Sequence, residues 1–279
     1  MYNDGGLGHR FFLKFNKEKD VKTRSGLMAQ LPVLDLFKES VQLLWQKRKQ
    51  VVVAFLPALL LLAALDWYSS TQLADQQAKG MLLALVSTLI SVLLATTCHH
   101  FTLRPEQATP NMLRFYGRNE WRYFLRLIQI GFIAGMVFFA VMMAVILLLT
   151  NAVHAQQVVE QPQLAAAGIL VAAIPALYLW GRLSITLPEL ALGQASSLKH
   201  AWQLSQGNGN KLALVVVIIP MLSMAPFFAL LWLDNTALQF IGSFGTYLTT
   251  LISIVALSLS YQFLNDFYLE AHYEISKEI

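Results

Sequence analysis

The chain has 279 residues, of which 56% are apolar and only 13% charged, against about 25% charged in ordinary soluble domains. Six charge-poor membrane spans of about 20 residues would use about 120 residues and leave the charges at roughly 23% of the remainder, a normal density. This excludes a soluble enzyme, a secreted disulfide scaffold and a nucleic-acid-binding domain. The lone cysteine, Cys98, excludes an intrachain disulfide and a thiolate metal cluster.

Residues 1–30 read as a mobile cytosolic tail, with Gly5, Gly6 and Gly8 followed by Lys14, Lys17, Glu18, Lys19, Asp20, Lys22 and Arg24. The first fifty residues carry ten Lys+Arg and lack an apolar core, so a signal peptide is not expected. Met28 directly precedes the organised part and is a candidate start, with 1–27 an over-extended reading frame.

Six long charge-poor runs follow, with spans expected near 51–68, 80–101, 126–150, 164–183, 212–233 and 238–264. The runs are apolar all round rather than alternating, so helices are expected and not barrel strands. The fold class is therefore all-α and polytopic: a six-span domain over 31–270, with a cytosolic tail over 271–279. Pro57, Pro175, Pro220 and Pro226 lie inside spans, and the two in the fifth predict a bent or broken helix.

Charge fixes an expected orientation. With the N-terminus inside, the inner segments hold 19 of the 20 Lys+Arg and the outer ones only Lys79. The outer segments carry Asp66, Asp75, Glu160 and Asp234 instead. Both termini are expected in the cytoplasm. The outer connections are short, so the spans pair as three outward hairpins.

Each hairpin follows an inner segment of similar texture: Leu36 to Trp45, Asn111 to Tyr123, and Ser197 to Leu204. In the first, Leu34, Phe37, Val41, Leu44 and Trp45 fall on one helical face. Such a helix suits the inner interface, either contacting lipid or serving as an elbow that packs on the bundle.

The third segment carries a recognisable pattern. Leu187-Pro188-Glu189-Leu190-Ala191-Leu192, then Ser197-Leu198-Lys199-His200-Ala201-Trp202-Gln203-Leu204-Ser205-Gln206-Gly207, resembles the membrane domain attached to some bacterial glycerophosphodiester phosphodiesterases and related inner-membrane proteins. The resemblance implies a six-span module of the bacterial inner membrane tied to lipid or envelope physiology. It carries over no activity, because the hydrolase chemistry of those fusions belongs to a soluble barrel for which this chain has no room.

Candidate polar sites are few. Arg182 and Glu189 bracket the inner end of the fourth span and could form a polar gate or a lipid contact, a direct pair requiring a bend at Pro188. Ser243, Thr246, Thr250 and Ser253 line the sixth span with Gly242 and Gly245. They suit either tight packing or a polar path. Gly131 and Gly135 suggest close packing of the third span, and Cys98-His99-His100 an interfacial helix end. Gly207 to Lys211 reads as a flexible turn and not a phosphate loop. Lys47, Arg48, Lys49, Arg114, Arg118, Arg122 and Lys199 are expected to meet anionic lipid. No cofactor, metal or catalytic set is expected. Expected partners are membrane lipids and a second copy or another membrane protein. The leading function is a non-enzymatic accessory role linked to lipid or envelope; the alternative is transport of a small solute or lipid between the repeats.

Overall fold

A computed structural model describes residues 30–72, 76–104, 117–152, 162–233 and 235–278. All regular structure among them is helical. In chain order the helices are α1 (Val33–Gln46), α2 (Arg48–Gln72), α3 (Gln77–Leu103), α4 (Arg118–Ala152), α5 (Pro162–Leu183), α6 (Thr186–Ala191), α7 (Leu198–Leu204), α8 (Gly209–Ala213), a π-helical segment (Leu214–Ile218), α9 (Ile219–Leu231) and α10 (Thr236–Glu278). Six stretches are long and apolar enough to cross a membrane: Arg48–Thr71, Gln77–Leu103, Arg118–Leu148, Gln163–Ala191, Gly209–Leu231 and Thr236–Asp266. The third begins eight residues before its expected start. The last helix runs on to Glu278, through most of the expected tail.

Local chemistry sets the helix ends. The backbone N–H of Gly117 donates to Glu120 Oε2 at 3.0 Å, a reach-back that opens α4. Asn235 Oδ1 accepts from the N–H groups of Ala237 and Leu238 and opens α10. Ser197 Oγ accepts from His200 N–H at 3.1 Å and opens α7. Gly193, at φ +78°, closes α6: its N–H donates to the Leu190 carbonyl and the Gln194 N–H to that of Glu189. This paired return needs a left-handed residue, which glycine adopts without strain.

Consecutive spans pack along each other: α2 on α3, α4 on α5, and α9 on α10. The last helix also packs on α2 and α3, so it forms the axis of the bundle. Its tight approach to α9 depends on two glycines. A Cβ on Gly242 would lie 2.8 Å from the Phe227 carbonyl oxygen, and one on Gly245 would fall inside the Phe227 ring. Gly131 lies against the Trp180 ring, whereas a Cβ on Gly135 would meet nothing within 4 Å. The expected glycine pair of the third span is thus only half used.

The fifth span changes winding just before Pro220 and continues as α-helix through Pro226. Pro220 has no N–H to give the Val216 carbonyl four residues back. Ser253 Oγ, from α10, donates to that carbonyl at 2.9 Å. Helices α2 and α5 continue through Pro57 and Pro175.

Gly245→Ala is expected to lower stability by about 1–3 kcal/mol through overpacking against Phe227. Gly135→Ala should be neutral or slightly stabilising. Thermal unfolding of the two variants in one detergent checks the contrast.

Candidate functional site

The described parts of the segments expected on the inner side come together at one end of the bundle, the basic end. Four contacts bring them together. The Leu31 N–H donates to Asn208 Oδ1 at 2.8 Å. Lys47 Nζ stands 5.0 Å from the Phe101 ring centre. Tyr261 O–H donates to Gln194 Oε1 at 3.0 Å. His99 joins α3 to α4 and α10. Asn208 is itself buried, so the Gly207–Lys211 turn is anchored rather than loose.

Arg182 ends α5 and is only 8% exposed. Each of its three guanidinium nitrogens donates to a neutral partner. Nε donates to Ser205 Oγ at 2.8 Å, Nη1 to Tyr178 O–H at 2.9 Å and Nη2 to the Trp202 carbonyl at 3.0 Å. The Trp202 ring lies beneath it at 3.4 Å, a stacking that adds cation–π attraction. Ser205 Oγ passes its own proton to the Ala201 carbonyl at 2.7 Å. The result is a clasp holding α7 to the end of α5.

Glu189 on α6 is 3% exposed. Its Oε1 lies 2.9 Å from His200 Nε2; its Oε2 is buried without a partner. Arg182 and Glu189 therefore reach the same short helix by different residues. The chain turns between them at 184–185 and not at Pro188, which lies inside α6, and their side chains are taken by Trp202 and Ser205 on one side and His200 on the other. Sequence spacing could not show this, because α7 returns from beyond the Gly193 turn.

The sixth-span hydroxyls are turned into backbone. Thr246 donates to the Ser243 carbonyl, Thr249 to Gly245 and Thr250 to Thr246. Ser253 is the member of the set that reaches across to another span. Ser243 is buried.

Cys98 and His99 are wholly buried, not placed at a lipid-facing helix end. His99 Nδ1 lies 2.7 Å from Ser258 Oγ and Nε2 3.3 Å from the Tyr123 hydroxyl. Ser258 gives its one proton to the Ile254 carbonyl. His99 thus bonds through both ring nitrogens, one to Ser258 and one to Tyr123. This chain ties three spans together. Asp66, expected in an outer loop, lies within α2 and near Tyr247 of α10.

The cations expected to meet anionic lipid divide into groups. Arg48 is exposed and also lies over the Trp45 ring at 5.6 Å. Lys49, Arg118, Arg122 and Lys199 are exposed. Arg114, with the first part of the second segment (residues 111–116), lies outside the described residues.

Helix α1 has two unlike faces. Leu36, Ser40, Leu43 and Leu44 are buried. Leu34 and Trp45 are 66% and 70% exposed and Val41 is also exposed. The expected apolar stripe thus points mostly away from the bundle, with Leu44 the exception.

Two polar groups in this region carried no sequence signal beyond their charge. Glu39 sits half-buried on α1, and its Oε2 has no partner. Burial pushes its carboxyl from 4.5 up to about 7. Arg126 on α4 donates from Nη2 to the Ser196 carbonyl at 3.0 Å, while its Nη1 and Ser196 Oγ are buried without partners. Among the described residues no three His, Cys, Asp or Glu side chains gather to hold a metal.

Comparison with family models, curated proteins and solved structures finds no match for the chain.

The Glu39 shift has a definite sign. Between pH 4.5 and about 7 the folded chain binds the Glu39 proton more tightly than the unfolded chain does. Stability therefore falls as pH rises through that window. Glu39→Gln should remove this loss: its melting temperature should exceed that of the unaltered chain at pH 8, with the gap closing by pH 4. Melting curves across that range check it.

Proposed function

We propose that the chain is a non-enzymatic accessory protein of the bacterial inner membrane with a lipid- or envelope-linked role, both termini facing the cytoplasm. The observation that carries this reading is the fate of the polar groups. The hydroxyls of the sixth span are spent on backbone carbonyls, and the Arg182 guanidinium is spent on α7. Interior polarity is used for packing, while the exposed stripe of α1 and the cations beside it are available to a membrane surface. The orientation rests on the inner excess of Lys and Arg. The resemblance of the third inner segment to phosphodiesterase-linked membrane domains supports the lipid connection.

One observation favours a second reading, transport of a small solute or lipid. The fifth span contains a π-helical segment beside Pro220; such irregularities often accompany function, and interrupted helices build transporter sites.

Water access separates the two. In a Cys98→Ala background in inside-out vesicles, single cysteines at positions 243, 246, 250 and 253 should resist a membrane-impermeant maleimide, while one at the exposed Lys199 position is labelled. Labelling of the sixth-span set would replace the accessory reading with transport.

A further inference from the structure

We infer that the groove between α4 and the turn leading into α7 is a specific site for one anionic phospholipid, with the phosphodiester held by Arg122, Arg126 and Ser196. The inference deepens the lipid-linked reading and rests on it.

The groove has a volume of about 510 Å³. Arg122, Arg126 and Gln129 line one wall, and Gln194 and Ser196 line the other. The second wall is fixed by the Gly193 return and by the bond from Tyr261 to Gln194. Arg126 is held in place by its Nη2 bond to the Ser196 carbonyl. That bond leaves Nη1 and the neighbouring Ser196 hydroxyl shielded from bulk water with no acceptor or donor of their own. Buried donors without partners are costly. With Nη1 and the Ser196 hydroxyl turned toward the groove, a phosphate oxygen supplies the acceptor that both require, and guanidinium–phosphate bonds are among the strong charge-assisted kind. Glu189 is the opposing charge within electrostatic reach of Arg126. Its Oε1 is engaged with His200, and the two guanidiniums outweigh it.

Depth and shape select a lipid over free phosphate. Helix α4 has 35 residues, about 52 Å at 1.5 Å per residue, against a hydrocarbon core of about 30 Å. Its first two turns therefore extend into the headgroup layer, which places Arg122 within that layer and Arg126 at its border with the hydrocarbon. From the groove an exposed apolar stripe continues along the same helix through Leu125, Ile128, Phe132 and Met136. It offers an acyl chain a track beginning at the phosphate clamp.

The test uses the full chain in nanodiscs of phosphatidylcholine with and without phosphatidylglycerol, and in phosphatidylcholine with added inorganic phosphate. Native mass spectrometry reads retained lipid, and melting temperature reads stabilisation. The unaltered chain should retain phosphatidylglycerol over phosphatidylcholine and melt higher with it. Arg126→Gln should reduce that retention about ten-fold, the loss expected for one charge-assisted contact. Ser196→Ala should reduce it several-fold. Its hydroxyl has no partner in the protein, so this variant keeps the test valid if Arg126→Gln fails to fold. Lys79→Gln, at the exposed start of α3, should behave as the unaltered chain. Unchanged preference in both groove variants would overturn the site and leave the lipid-linked reading standing. Absence of any preference in the unaltered chain would overturn both. Equal stabilisation by inorganic phosphate alone would overturn the lipid assignment.

Discussion

Hydrocarbon offers a polar group no hydrogen-bond partner, so whatever polarity a spanning chain contains must be satisfied within it. Arg182 shows this constraint most fully. A guanidinium cannot shed its charge under ordinary conditions, yet this one is nearly buried. It is accommodated by a phenol one turn back on α5 and by a hydroxyl, a carbonyl and an indole face that reach it only when α7 folds back on α5. The charge thereby specifies where the third inner segment sits.

That placement governs the rest of the basic end. Once α7 is fixed, His200 meets Glu189, and the Gly193 turn holds Gln194 and Ser196 opposite α4. The same accounting operates deeper in the bundle. Pro220 frees the Val216 carbonyl, and Ser253 satisfies it. His99 links a tyrosine on one side to a serine on the other. Such ties are directional and fix which faces meet, which apolar contact in an apolar solvent does poorly. Glycines at 242 and 245 then let the helices close to the required distance.

The sequence made the helical class and the six spans legible because both follow from long-range averages of apolarity. Individual partners were less legible. Arg182 and Glu189 stood out as ionisable residues at a span end, but each is paired with a residue that approaches from beyond a turn. His99 looked like one member of an interfacial cluster, since neither Ser258 nor Tyr123 announces itself at a distance of many residues. Gly131 and Gly135 share a spacing, but only one faces a neighbour. Arg126 differed in no way from the surrounding arginines until its second nitrogen proved to lack a partner. Pattern conveys which face of a helix is apolar; it does not convey what comes to lie against it.

Amide hydrogen exchange over Ala201–Ser205 in the Arg182→Lys chain tests most directly whether a buried guanidinium organises the basic end. Lysine keeps the charge but cannot supply the planar fork to three acceptors. The account predicts exchange in α7 faster by about ten-fold or more, corresponding to about 1.4 kcal/mol of lost local stability, with the spans themselves unaffected. Exchange in α7 equal to that of the unaltered chain would contradict it.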